Sequence, residues 1–139
     1  MTGFVLDCSI AVAWCFEDEA SISTDALLER LLDDSAVVPS LWHLELGNVL
    51  LQAERRGRIS AGDATARLEL LSSLPILTDE ETTSRALREI LTLARAEKLT
   101  TYDAAYLELA MRRGLPLATK DRDLIDAAKR TGVVTLGVS

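Results

Sequence analysis

The sequence predicts an α/β fold, a three-layer α/β/α sandwich around a parallel sheet of four to five strands, in one domain spanning residues 1–139. Three observations carry this. Short, continuously apolar runs such as F-V-L, A-V-V and P-L-A alternate with longer stretches of helical period, the pattern of a parallel sheet covered on both faces. The helical stretches take up most of the chain, enough to cover both faces. Aspartates stand directly after the first apolar run and just beyond the fourth, where strands hand over to helices and where ligands gather in open α/β sheets.

Taken in order, the first strand covers residues 3–6, Asp7 follows at once, and after Ser9 comes an apolar helix over 10–16. Glu17 to Glu19 is an acidic break, and an amphipathic helix over 24–34 turns Ala26, Leu27, Leu28, Leu31 and Leu32 inward. Residues 36–38 form a second strand stopped by Pro39. Ser40 then caps a strong helix, with arginines 55, 56 and 58 favouring its C-terminal dipole. On that helix Glu45 has Leu41 at i−4, Trp42 at i−3 and Val49 at i+4, so a carboxylate sits on an apolar stripe.

Ser60 caps the next helix, 61–71, and a third strand over 74–77 is broken into by Pro75. Thr78 or Asp79 caps a long helix reaching about Lys98. Thr100 or Thr101 caps the following one, whose Tyr102, Ala105, Tyr106 and Leu109 fall at i, i+3, i+4 and i+7 and whose Asp103 lies in the first turn. Gly114 closes it, 115–118 is a buried strand, and Thr119, Lys120 and Asp121 lead into a helix ending at Gly132. Residues 133–136 supply the last strand.

Composition narrows the function. No apolar run approaches the roughly 20 residues of a membrane span, so a soluble protein with no membrane partner is expected. The first strand begins too early for a basic and apolar leader, which gives a cytoplasmic location as the expectation. Cys8 and Cys15 are seven apart, too far along a helix for a bridge, and read as small buried hydrophobes. With one His and no C-x-x-C pair, zinc held by nitrogen and sulfur is disfavoured, and any metal should be oxygen-ligated. The net charge of −7 comes entirely from residues 1–69, which hold 12 acids and 5 bases. That balance argues against a broad basic face for nucleic acid, leaving local contacts by Arg55, Arg56, Arg58, Lys120 or Arg122.

Taken singly, Asp7 and Asp121 serve as well for helix caps as for ligands, and Asp103 suits the positive end of its helix. Glu45 differs, because an unpaired carboxylate among apolar neighbours costs several kcal/mol. It calls for a partner. No G-x-S-x-G elbow, P-loop or dinucleotide glycine pattern is present, His43 falls on the exposed side of its helix, and Ser9 stands where aspartyl phosphatases carry a second Asp.

Together the four acids, in the contexts F-V-L-D-C-S, W-H-L-E-L-G-N-V-L, T-T-Y-D-A-A-Y and L-A-T-K-D-R-D-L, resemble the PIN-domain family over the whole chain, and most closely the VapC-type ribonuclease toxins of bacterial toxin–antitoxin pairs. The resemblance implies a PIN-like sandwich with its acids at the carboxyl edge of the sheet, and an endoribonuclease that hydrolyses RNA phosphodiesters. The family's acids fall on Asp7, Glu45, Asp103 and Asp121, and its neighbouring hydroxyl residues on Ser9 and Thr119. Asp123 is an extra carboxylate able to share the last role. Mg²⁺, with Mn²⁺ as a substitute, is the implied cofactor, held by Asp7, Asp103 and Asp121, with Glu45 binding a second ion or orienting water. Implied partners are RNA, a small VapB-like antitoxin and a second copy of the chain. The dimer expectation also rests on Trp14, Phe16 and Leu27, which read as exposed apolar residues. The competing reading is a non-catalytic metal-binding or protein-interaction module of the same fold.

Overall fold

The computed structural model describes residues 3–137. Five strands, β1 (Phe4–Leu6), β2 (Ala36–Pro39), β3 (Ile76–Asp79), β4 (Leu117–Ala118) and β5 (Thr135–Leu136), form one all-parallel sheet in the order β3-β2-β1-β4-β5. The chain lays β2 and β3 on one side of β1 and then returns to lay β4 and β5 on the other. The order therefore reverses between β1 and β4, and that reversal opens a crevice beyond their carboxyl ends. β1 and β4 are fully buried, as a strand covered on both faces must be.

Helices flank the sheet. They are α1 (Cys8–Cys15), α2 (Ile22–Arg30), α3 (Leu41–Arg55), α4 (Ala61–Ser72), α5 (Thr82–Arg85), α6 (Leu91–Glu97), α7 (Thr101–Arg113) and α8 (Arg122–Thr131). α7 is the most buried, with Ala104 to Ala110 all enclosed, and it packs on both β1 and β2. Its start is fixed by Thr100, whose Oγ1 accepts the Asp103 N–H at 3.1 Å, and its end by Gly114 at φ 65°. Ser60 caps α4 as expected, in a capping box with Asp63. Cys8 and Cys15 are buried free thiols on α1.

Several expectations need correction. α2 begins at Ile22, because Ser21 rather than a later residue makes the reciprocal cap with Thr24, and it ends at Arg30. Leu32 then falls in a turn and is 86% exposed, and Ala26 faces solvent too. Ser40 makes no side-chain cap to α3. Phe16 and Leu27 are buried, not exposed. Phe16 lies beneath Arg58, whose guanidinium carbon is 3.8 Å from the ring centroid, and half-buried Trp14 donates its indole N–H to Thr24 O at 2.7 Å. The surface basis for a dimer at these residues is thereby removed.

The third strand starts after Pro75, and Asp79 is its last residue instead of a helix cap. The helix that follows is interrupted by a π-helical stretch, Ala86–Ile90, between α5 and α6. Asp79 is 1% exposed and accepts from Arg112 Nη2 at 2.8 Å and Arg113 Nη2 at 2.9 Å. Arg112 also donates to Glu108 through Nε at 3.0 Å, so the end of β3 is locked to the last turns of α7. These guanidinium contacts hold the Asp79 carboxyl down to about 2.

Removing one partner of a buried pair leaves the other uncompensated, so Asp79→Asn should destabilise the protein by about 3 kcal/mol in urea unfolding. Because the folded carboxyl titrates below the unfolded one, its contribution is complete above about pH 4 and is lost as the pH falls through about 2. An Asp79→Asn variant with the wild-type midpoint would show that the arginines are satisfied elsewhere.

Candidate active site

The carboxylate of Asp7 lies where β1 ends, at the crevice made by the strand reversal, and is 6% exposed. It occupies the cap position of α1 yet makes no cap hydrogen bond. Instead its Oδ2 accepts two hydroxyls, Ser9 Oγ at 2.7 Å and Thr119 Oγ1 at 2.7 Å. Thr119 is fully buried at the end of β4, and its Oγ1 in turn accepts the Asp121 N–H at 3.0 Å. Ser9 Oγ likewise accepts the Lys120 N–H at 3.0 Å. Two hydroxyl residues thus fasten the strand ends together through one carboxylate oxygen. Their part is to orient Asp7.

Asp121 caps α8, accepting the Leu124 N–H on Oδ1 at 2.9 Å. The capping role and a place at the crevice are therefore both filled by one residue, with its second oxygen outside the cap. Asp103 comes from the first turn of α7, and its carboxylate makes no hydrogen bond or ion pair among the described residues. Glu45 comes from the middle of α3, and its Oε1 accepts the hydroxyl of Tyr106. Asp7, Glu45, Asp103 and Asp121 line one cleft, with Ser9, Glu19 and Lys120 on its rim and Val12 and Val49 as apolar wall. Four elements far apart in sequence supply the four acids.

Asp123 lines a neighbouring groove with Asp126 and Arg130, although its charge still reaches Asp103. His43 is exposed on α3 outside the cleft. Tyr106 and Glu19 escape the sequence reading of the site, whereas Lys120, expected as a local nucleic-acid contact, does line the cleft. A tyrosine on an otherwise apolar buried face was the available signal for the first, since a buried phenol hydroxyl needs a partner.

The electrostatics follow from this arrangement. Burial pushes the Asp7 carboxyl up, the Ser9 and Thr119 hydroxyls pull it back, and Asp121 raises it again. Glu45 is raised by burial, lowered by the Tyr106 hydroxyl, and raised further by Asp7 and Asp103. Asp103 is pushed up to about 6, by burial first and then by Asp121, Asp7 and Asp123. The Cys8 thiol is pushed up by burial and by Glu45 and Asp7, which rules it out as a thiolate nucleophile.

The donors are carboxylate and hydroxyl oxygens, which suit a hard divalent cation. Among the described residues no three His, Cys, Asp or Glu side chains are already gathered into a ligand set. Asp7, Glu45, Asp103 and Asp121 supply such oxygens to the cleft and could hold an ion there.

A carboxyl raised on folding binds its proton more tightly in the native state, so it lowers stability as the pH climbs from about 4 to about 6. Asp103→Asn should abolish this loss: in EDTA at low salt and pH 7 the variant should melt a few degrees above wild type, and near pH 4 the two should converge. A variant melting below wild type at pH 7 would mean that Asp103 serves its helix dipole and nothing else.

Comparison with known proteins agrees with the fold. A curated relative, Exonuclease VapC9 of Pyrobaculum aerophilum, is 38% identical over 91 residues, which cover 65% of this chain and 63% of the relative. The match therefore spans a little under two thirds of that protein. The crystal structure of PAE2754 from Pyrobaculum aerophilum superposes with a TM-score of 0.71 at 29% identity, covering 96% of this chain and 83% of that one. VapBC2 from Rickettsia felis, crystallised with a DNA fragment from its promoter, gives a TM-score of 0.70 at 17% identity, covering 96% and 97% of the two chains. FitAcB from Neisseria gonorrhoeae gives 0.64 at 17% identity, covering 95% of each. The PIN-domain model matches residues 4–130, from β1 to the last turn of α8, and on that match this chain belongs to the PIN-domain family.

Proposed function

We propose that the chain is a metal-dependent endoribonuclease acting as the toxin of a VapBC-type toxin–antitoxin pair. The observation that carries this is the convergence of Asp7, Glu45, Asp103 and Asp121 on one cleft at the sheet's reversal point, in a chain of this family. Asp7, Asp103 and Asp121 would hold Mg²⁺, or Mn²⁺ in its place, which when bound supplies counter-charge for a phosphate and a water of lowered pKa. Ser9 and Thr119 fix the Asp7 carboxylate, so its open oxygen is presented without searching. Glu45, raised by burial, is suited to accept a proton from the attacking water. Lys120 lines the cleft with its Nζ donating to Glu19 O at 3.3 Å, and is the lysine available there to meet a phosphodiester.

Purified protein should cut a structured RNA with Mg²⁺ or Mn²⁺, stop in EDTA, and work poorly with Ca²⁺, whose looser coordination places water badly. Asp7→Asn should lower the rate by about a hundredfold or more while leaving the fold intact. Undiminished cleavage in excess chelator would defeat the reading. The curated relative is named an exonuclease. A circular RNA separates the two modes, because only an endonuclease linearises it.

The proposed partner is a small antitoxin whose C-terminal segment lies over the acidic edge and presents an Arg to the carboxylates, and a second copy of the chain completes the toxin. The support is that proteins of the same fold include VapBC2 from Rickettsia felis and a chain of a toxin–antitoxin complex from Klebsiella pneumoniae. A small protein that co-purifies with this chain from its source should form a complex that cuts RNA at least tenfold more slowly than the free protein, since a cleft filled by an Arg excludes substrate. Free protein recovered alone and equally active would contradict it.

A further inference from the structure

Glu45 poses a positional problem that the backbone does not solve. A glutamate carries three side-chain torsions, and freezing them needs contacts on the carboxylate itself. Leu41 and Val49 flank it on α3 and offer no polar atom. Among the described residues its carboxylate has one hydrogen-bond donor, the hydroxyl of Tyr106. Tyr106 is 0% exposed, with its ring in the core and its hydroxyl as the one polar atom of the side chain. Phenylalanine would fill the same space, so what tyrosine adds at this position is the bond to Glu45.

The register of α7 gives that bond a second consequence. Tyr106 lies one turn after Asp103, so the helix that delivers Asp103 to the cleft also grips the carboxylate delivered by α3. Two acids from elements some 60 residues apart are thereby set relative to one rigid helix. We infer that Tyr106 is a positioning residue that aims the Glu45 carboxylate at the attacking water, in the hydrolysis proposed above and dependent on that reading. The phenol is driven well above its ordinary pKa by burial and by Glu45, so it remains a donor, and its donation favours the ionised carboxylate.

The test is a double-mutant cycle on Tyr106→Phe and Glu45→Gln, read as single-turnover cleavage of RNA with protein in excess and Mg²⁺ present, alongside RNA affinity. Tyr106→Phe should slow cleavage by about tenfold or more, toward the range lost with a general base, and change RNA affinity less than twofold. In the Glu45→Gln background the same change should alter cleavage less than twofold, because the group through which Tyr106 acts is already gone. General loosening of the core would lower both backgrounds by the same factor, and that result overturns the inference. So does a Tyr106→Phe protein as active as wild type. Wild type that fails to cleave removes the nuclease reading and this inference with it, whereas wild type and Tyr106→Phe cleaving equally removes the inference alone.

Discussion

Burying a carboxylate at the end of a central strand costs several kcal/mol unless its oxygens are bonded, and the site is built around how Asp7 meets that cost. One oxygen takes two hydroxyls, from Ser9 on α1 and from Thr119 at the end of β4. The same hydroxyl oxygens accept the backbone N–H groups of Lys120 and Asp121, so the β4 to α8 turn is tied to the β1 to α1 turn. With the Asp7 N–H donating to Ala118 O at 3.0 Å, the two loops flanking the strand reversal become one unit. The position of Asp121 and of Lys120 at the cleft depends on this knot.

The chain treats its acids in two opposite ways. Asp79 is enclosed by Arg112 and Arg113, and its carboxyl is held far down; it fastens β3 to α7. Asp7, Glu45 and Asp103 are given neutral hydroxyls or no partner, and all are pushed up by burial first and then by neighbouring carboxylates, Asp121 in the case of Asp7. The first arrangement is what a stabilising ion pair looks like. The second is a cluster of acids without paired arginines, whose ionised forms burial and neighbouring carboxylates disfavour. The contrast within one small protein is why burial of acids alone says little, and why the identity of each acid's neighbours decides its role.

α7 connects the two regions. Its first turn carries Asp103, its next turn Tyr106, and its last turns Glu108, Arg112 and Arg113. Six consecutive residues from Ala105 to Ala110 are buried against the sheet and α6, so the helix cannot shift without moving both the cleft and the Asp79 pairs. Geometry at the cleft is thus held by about two fully buried turns of one helix, as a site on a rigid element requires.

Much of this was legible in the sequence. Alternation of apolar runs and helical periods gives the layered parallel sheet, because a strand covered on both faces admits only apolar residues. Aspartates directly behind strand runs mark the crevice, and Glu45 on an apolar stripe announces an unmet need for a partner. Exposure of single residues was less legible: Leu32 is exposed because helix α2 stops at Arg30, four residues before periodicity suggests, Phe16 is buried beneath Arg58, and Leu27 is buried in the core. Asp79 and Tyr106 show the limit most clearly. Both have local explanations, a helix cap and an apolar face, while their partners lie 33 and 61 residues away. Sequence spacing fixes which residues share a helix face or end a strand, since those follow from local periodicity. Which oxygen meets which hydroxyl or guanidinium across the molecule was decided by strand order and helix packing, which bring together groups that no local period relates.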